Sequence, residues 1–469
     1  MNVFASTLIS GLLIGPSILA GAETLELHSR FRQPVAEGSD AYALVAQTVN
    51  WDAKKTAIII CDMWDRHWCK SATARVAEMT PRMNAVLKAA RARGVLIVHA
   101  PSDTMKFYAD YPQRQRAQQA PLAAPPSTTN RWKLQPNVKE PPLPVVDSDG
   151  GCDDLPPCEG GSAWRSENPA LEIMADDAIS DNGAEIYNLF RQLGIENVII
   201  MGVHTNMCVL GRSFAIRHMI GLGQKVLLMR DLTDTMYNPR QSPYVSHFAG
   251  TDLVVEHIEK YWCPTITSVD FLGGEPFRFQ ADRRQTIAFI IGENEYHTWV
   301  SVPEFANQDL ARRGLQLVWV TSSTNTNDRE FPNYQAIRNA DLLFVSARRR
   351  TPRLEMIELI RQHLAAGKPL VGIRTASHAF GGTGDKRQVV NGIEYANWPE
   401  FDAEVLGGNY HGHLNAGWVT KLSLAPGAQS HPVLAGVAWQ DFQTQSSLYE
   451  NTPLKPGSQP LLIGTVLPG

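Results

Sequence analysis

The sequence predicts an α/β protein made of two doubly wound three-layer α/β/α domains with mainly parallel sheets. Three observations predict it. Short apolar runs with the composition of buried strands alternate with stretches of helical spacing. That rhythm lapses near residues 268–282, around Phe271-Leu272-Gly273-Gly274-Glu275-Pro276, and then restarts. A chain of 469 residues is also too long for one ordinary core, the length pointing to about two to three domains.

The first residues stand apart. Residues 8–20 are apolar and small, broken by Pro16, and Ala20-Gly21-Ala22 precedes Glu23. The run is too short for a bilayer core of about 30 Å but fits a secretory signal over residues 1–22, without the usual Lys or Arg in front. An exported chain, periplasmic or extracellular, with no membrane span in its mature part is expected. Within a first domain over 23–275, residues 56–60 read as a buried strand ending in Cys61-Asp62. A helix over 80–93 carries Met83, Val86 and Leu87 on one face, and 95–98 is the next strand. Residues 110–168 are rich in Pro, Gly and Gln without periodicity, the kind of excursion that supplies lids or interface arms. A helix over 183–193 follows, with Ile186, Leu189, Phe190 and Leu193 on one face and Gly194 as its stop. Then come a strand over 197–201, a tight turn, a helix over 208–220 and a strand over 225–229. A second domain over 280–469 reads as strand 286–291, helix 302–313, strands 315–320 and 342–345, helix 354–366 and strand 369–373. It closes on a strand-like run over 461–466. The halves share a class but no fixed-period repeat.

A net charge of −4 with 19% charged residues describes a soluble globular protein. Arg348-Arg349-Arg350 is an isolated triplet, too short to track phosphates, so nucleic acid is excluded as a partner. A small-molecule substrate is the expected partner, and a homo-oligomer is compatible with the composition. The six cysteines, Cys61, Cys69, Cys152, Cys158, Cys208 and Cys263, are too few for a disulfide scaffold. Cys152 and Cys158 flank Asp153-Asp154-Leu155-Pro156-Pro157 and could close a small ring in an oxidising compartment. Zinc is less expected there, because neither has a Cys or His at ligand spacing nearby.

Cys208 is the candidate nucleophile. It follows a strand and the turn Gly202-Val203-His204-Thr205-Asn206-Met207 and opens a helix. A helix N-terminus favours thiolate, lowering a thiol below its reference of about 8.5, and its N–H groups can hold an oxyanion. Asp62 ends a neighbouring strand, on the side where ligands gather in parallel sheets, and could relay the thiol proton. The structural alternatives are a small buried filler for Cys208 and a cap or turn role for Asp62. His204 reads as a substrate or oxyanion contact or as a hydrogen-bonded turn residue. His67, between Trp64 and Trp68, reads as pocket lining or aromatic packing. Asp231 and Asp234 read as capping residues near the same crevice, and Cys61 as core on the face opposite Asp62.

Two segments, Ala57-Ile58-Ile59-Ile60-Cys61-Asp62-Met63 and Ile199-Ile200-Met201-Gly202-Val203-His204-Thr205-Asn206-Met207-Cys208-Val209, carry a resemblance to the isochorismatase-like cysteine hydrolases. It spans residues 56–268. The resemblance implies Cys208 as nucleophile, Asp62 as acid/base, and a cis peptide near Val203-His204 that helps form the oxyanion hole. The implied reaction is hydrolysis of an amide, ureide or carbamoyl C–N bond; the alternatives are isochorismatase-type ether hydrolysis and a non-catalytic binding or assembly protein. The lysine of the family triad is missing: its place falls in Met174-Ala175-Asp176-Asp177-Ala178, leaving Lys133 and Arg165 of the excursion as substitutes. The metal-binding branch's Asp-x-His is replaced by Asp103-Thr104-Met105, so neither a metal nor a cofactor is expected.

The second half resembles the ThuA-like domains of class I glutamine amidotransferase fold. Three pieces carry this: Ile291-Gly292-Glu293-Asn294-Glu295-Tyr296-His297, Gly372-Ile373-Arg374-Thr375-Ala376-Ser377-His378 and Gly407-Gly408-Asn409-Tyr410-His411-Gly412-His413. Arg374 or Thr375 stands where an amidotransferase keeps its cysteine, which speaks against glutaminase chemistry. Carbohydrate-related binding is implied, and His297, His378, His411 and His413 are candidates for a shared polar or metal-binding pocket.

Overall fold

In the computed structural model, residues 23–126, 139–325, 327–382, 386–414 and 417–467 are described. The apolar run read as a secretory signal and Lys133 lie outside them. Eight strands form one sheet: β1 (Thr24–Pro34), β2 (Tyr42–Asp52), β3 (Thr56–Cys61), β4 (Leu96–Ala100), β5 (Ala178–Ile179), β6 (Asn197–Val203), β7 (Lys225–Asp234) and β8 (Thr265–Ile266). Their order is β2-β1-β8-β7-β6-β3-β4-β5. From β8 to β5 all neighbours are parallel, whereas β1 runs antiparallel to both β2 and β8.

β3 is buried at every residue, because helices cover both faces of the sheet. Ala57, Ile59 and Cys61 enter one core with Phe190, and Ile58 and Ile60 enter the other with Val86 and Leu87. The helices are α1 (Lys70–Ala92), α2 (Gly183–Leu193) and α3 (His247–Tyr261). α2 starts where the Asn182 side chain accepts the Ala184 and Glu185 amides, and ends at Gly194 in the left-handed region. α1 begins ten residues before the predicted 80–93, because it buries Arg75 and Thr80 among its core-facing residues, and polar groups there blur the apolar period. The β1–β2 hairpin escapes the pattern for a similar reason: half-exposed β2 shows little alternation.

The predicted helix over 208–220 is two pieces, Cys208–Gly211 and Ile216–Gly221, separated by an extended Arg212. The break is pinned where Ser213 Oγ accepts the Gly183 amide at 2.9 Å. A Cβ on Gly183 would lie 1.8 Å from the Ser213 carbonyl oxygen, so only glycine lets the two segments meet.

A second parallel sheet comprises β9 (Thr286–Gly292), β10 (Gln316–Thr321), β11 (Leu342–Ala347) and β12 (Leu370–Gly372), in the order β10-β9-β11-β12. α4 (Thr298–Phe305) packs on one face through Val302, against Ile287, Phe289 and Ile291. α5 (Leu354–Ala365) covers the other through Met356 and Ile360, against Ala288 and Ile290. The predicted helix over 302–313 is present: α4 runs on through a π-helical turn, Ala306–Leu310, and a 3-10 turn, Ala311–Arg313, and starts four residues earlier than expected. The last strand, Leu462–Leu467, pairs antiparallel with Val419–Leu424 and does not extend the parallel sheet. The protein is therefore mixed α/β with mainly parallel main sheets. Among the described residues no helix is long and apolar enough to cross a membrane.

Candidate active site

The carboxyl ends of β3, β4, β6 and β7 converge on one crevice. β3 and β6 approach so closely that a Cβ on Gly202, at φ +112°, would stand 2.1 Å from the Cys61 carbonyl oxygen. This contact sets Asp62, just past β3, beside the turn that follows β6. The chain reverses at Asp62 through a left-handed φ of 47°, one of the few side chains that tolerates it.

Asp62 is fully buried. Its Oδ1 accepts the Ser102 amide at 2.7 Å, and its Oδ2 accepts Arg212 Nε at 3.1 Å. The Cys208 thiol feels the charge of the same carboxylate and of the Arg212 guanidinium. Burial raises the Asp62 carboxyl above the ordinary aspartate value, while Arg212, Cys208 and Ser102 act to hold it ionised. Burial first, and then the Asp62 charge, push the Cys208 thiol up to about 12; Arg212 and the His204 backbone amide oppose them. The expectation of a helix-lowered thiol is therefore corrected. Only one helical turn follows Cys208, too little to outweigh desolvation and a neighbouring carboxylate. The proton rests on sulfur and the charge on Asp62.

A cis peptide joins Val203 and His204. The Val203 side chain is buried in the core, so this residue meets the crevice through its peptide alone. The His204 carbonyl accepts the Met207 and Val209 amides at 3.0 and 3.1 Å. The intervening Cys208 amide has no acceptor among the described residues, which leaves an N–H donor beside the sulfur. The His204 ring is buried with Nε2 unpartnered, and burial lowers it to about 3, so the imidazole is neutral. It meets His67 edge-on at 5.0 Å. His67 reaches the site only through that contact. It stacks on Trp164, which in turn stacks on Trp64 with ring centroids 4.3 Å apart. The excursion thus folds back over the crevice, Asn168 donating its amide to the Met63 carbonyl at 2.6 Å.

Sequence reasoning missed Arg212. Residues 174–177, where the lysine is expected, hold no cation and their Asp177 pairs with Arg91 and His99, while Arg165 is exposed, its amide bonded to Asp65. The signal was a cation four residues after Cys208. Arg212 also reaches Asp103 at the crevice mouth, 3.6 Å away. Asp234 is buried between Arg75 Nε at 2.7 Å and His247 Nε2 at 2.9 Å, whereas Asp231 accepts from Ser268 and Phe277 and lines a different cavity, with Arg230 and Phe279. Cys61 is buried in the core. On β4, His99 lies between Glu167 (2.7 Å) and Asp177 (3.2 Å). Burial pulls its pKa down, but the two carboxylates prevail and raise it to about 9.

In the second half a cleft of about 450 Å³ is lined by Arg348, Arg374, His378, Tyr410, His413 and Tyr449 among others. The Arg374 guanidinium lies over the Tyr296 and Tyr449 rings. Of the four candidate histidines, His378 and His413 share this cleft; His297 and His411 are not in its lining.

No protein-family model matches the chain, and no curated protein does. Solved structures similar to it include a cysteine hydrolase from Pseudomonas syringae pv. phaseolicola 1448A, at 18% identity over 47% of this chain and 92% of that one, with a TM-score of 0.30. An isochorismatase family protein from Desulfovibrio vulgaris subsp. vulgaris str. Hildenborough matches at 15% identity over 44% and 89%, TM-score 0.25. Another from Burkholderia thailandensis matches at 16% over 46% and 93%, TM-score 0.27. The chemistry assigned below rests on Cys208, Asp62 and Arg212 themselves.

Proposed function

We propose that the protein hydrolyses a small amide, ureide or carbamoyl C–N bond through a thioester at Cys208. The carrying observation is the Cys208 thiol within the field of a buried carboxylate, Asp62, that Arg212 Nε contacts at 3.1 Å and helps keep ionised. On attack, the Cys208 proton passes to Asp62 as sulfur bonds to the carbonyl carbon. The oxyanion so formed is within reach of the Cys208 amide, a donor of a kind typically worth roughly 10²–10³ in rate. Asp62 then protonates the leaving amine, the C–N bond breaks and a thioester remains. Water attacks the thioester, gives its proton to Asp62, and the acid leaves as sulfur regains a proton.

The test is ammonia release across a panel of small amides, ureides and carbamoyl compounds. Cys208→Ala and Cys208→Ser should abolish it; a panel inert with wild-type protein would return the chain to the binding reading. In the same proposal residues 1–22 are a secretory signal, and residues 23–275 and 280–469 are separate domains. The second is ThuA-like, its Arg- and Tyr-lined cleft suited to a polar, carbohydrate-related ligand. Sequencing the mature N-terminus from secreting cells checks the first point, since intact Met1 contradicts cleavage.

A further inference from the structure

Three cysteines, one of them more than eighty residues from the other two, converge on one carboxylate. Cys69 stands at the N-terminal boundary of α1, and Cys152 and Cys158 in the excursion. Their sulfurs lie 3.4, 3.5 and 3.2 Å from a single atom, Asp154 Oδ2. The Ser71 amide donates to that same oxygen at 3.1 Å, and Ser71 Oγ holds Oδ1 at 2.5 Å. Four donors crowd one carboxylate oxygen, which has lone-pair room for about two. Thiol hydrogen bonds therefore do not account for the convergence. A tetrahedral ion does: zinc–sulfur bonds of about 2.3 Å and a zinc–oxygen bond of about 2.0 Å place each sulfur about 3.5 Å from the oxygen. The Cys69 and Cys152 sulfurs and the Asp154 oxygen already lie within 4.8 Å of one another; the Cys158 sulfur, 3.2 Å from that oxygen, stands outside this group and has to draw in to complete the tetrahedron. The backbone amides of Lys70 and Ala72 face the Cys158 and Cys69 sulfurs, where they would support thiolate ligands.

We propose that Cys69, Cys152, Cys158 and Asp154 form a structural site for one tetrahedral divalent ion of the zinc class. Binding displaces the three thiol protons to solvent and makes three metal–sulfur bonds and one metal–oxygen bond. All four positions are filled by protein, so the site is closed and does no catalysis. It would staple the excursion to the start of α1. The stapled loop carries Asp153, whose carboxylate grips Arg75 at 2.9 Å, and Arg75 holds Asp234 in the crevice wall. Sequence spacing hid the site, since Cys69 lies more than eighty residues from its partners.

The full-length chain, reduced and freed of metal, is titrated anaerobically with Co²⁺ and separately with Zn²⁺. The expected result is one ion per chain, with thiolate-to-cobalt charge-transfer absorption, tetrahedral d–d bands and a raised melting temperature. Cys69→Ser, Cys152→Ser and Cys158→Ser should each remove the charge-transfer signal or weaken binding at least tenfold, while Cys263→Ser, distant in the core, should leave it intact. Asp154→Asn should weaken binding at least tenfold and keep the sulfur bands. Native protein denatured with chelator should titrate as six thiols. A count of four, showing a disulfide within the trio, would overturn the proposal. So would the absence of charge transfer in the wild type, or its survival unchanged in the three serine variants. Affinity unchanged in Asp154→Asn overturns the carboxylate ligand.

Discussion

Replacing Asp62 by Asn should move Cys208 reactivity and turnover in opposite directions. With its thiol near 12, wild-type Cys208 is thiolate in about one molecule in 10⁴ at pH 8, against about one in four for a free cysteine near 8.5. The greater intrinsic nucleophilicity of a high-pKa sulfur recovers roughly half of that on a logarithmic scale. Iodoacetamide should therefore alkylate Cys208 about 10²-fold more slowly than a free cysteine, with the rate still climbing above pH 9. A unit charge at hydrogen-bonding distance is worth up to about 4 kcal/mol at an effective dielectric of 20, or about three pK units. Solvent reaching half-exposed Arg212 weakens that field, so removing the Asp62 charge should lower the thiol by about one to two units. Each unit gives about threefold in rate after the nucleophilicity offset, so Asp62→Asn should alkylate about 3- to 10-fold faster at pH 8. Turnover of any amide found in the panel should meanwhile fall by about 10²–10⁴, because the proton carrier is gone. Peptide-resolved mass spectrometry isolates Cys208 from the other cysteines. A variant that loses turnover with alkylation unchanged or slower would mean that Asp62 shapes the site without acting on the thiol.

Other perturbations follow from the same geometry. Arg212→Gln leaves Asp62 buried without its counter-charge, so its carboxyl should rise further and the acid limb of kcat/KM should move up by at least one pH unit; Arg212→Lys should restore part of it, and an unmoved limb in both refutes the electrostatic role. His99 has a folded pKa of about 9, above the ordinary 6.5. Its stabilisation is thus complete below about pH 6.5, is lost as pH rises through about 9, and amounts to about 3 kcal/mol. Urea unfolding at pH 6 and pH 10 should show that difference in wild type and a smaller one in His99→Gln; equal differences in the two proteins reject it. Gly202→Ala drives a Cβ into the Cys61 carbonyl and should cost about 3 kcal/mol or more, read as a lowered melting temperature.

The central parallel strands of both sheets were legible because strands buried on both faces read as plain apolar runs: β3, β6 and β9 fall within two residues of expectation. α2 was legible down to Gly194, since an amphipathic helix between capping residues carries its own boundaries. Features that depend on contacts between distant segments were not. α1 hides its first turns because the carboxylates that neutralise buried Arg75 come from residues 153 and 234. The helix over 208–220 is broken by Ser213 meeting Gly183 across the fold, which no local window contains. Asp62 and Cys208 are singled out in sequence by a strand end and a helix start, and the structure sets the two side by side. The direction of the thiol's shift was not, because it depends on how deeply the pair is buried.

In the proposed reaction the cation beside Asp62 is an arginine, Arg212, and this constrains the chemistry. A guanidinium is protonated throughout any pH at which the fold survives, and burial beside Asp62 raises its pKa further. Arg212 therefore cannot accept or return a proton during turnover; it can only bias where the proton rests. Every transfer, from thiol, to leaving amine and from water, then falls on Asp62. That residue needs a carboxyl raised enough to hold a proton briefly and low enough to release it. Burial supplies the first and the Arg212 Nε contact at 3.1 Å supplies the second. In the proposed reaction it is the opposition of these two effects on one carboxylate, rather than a pre-formed thiolate, that lets a thiol near 12 attack.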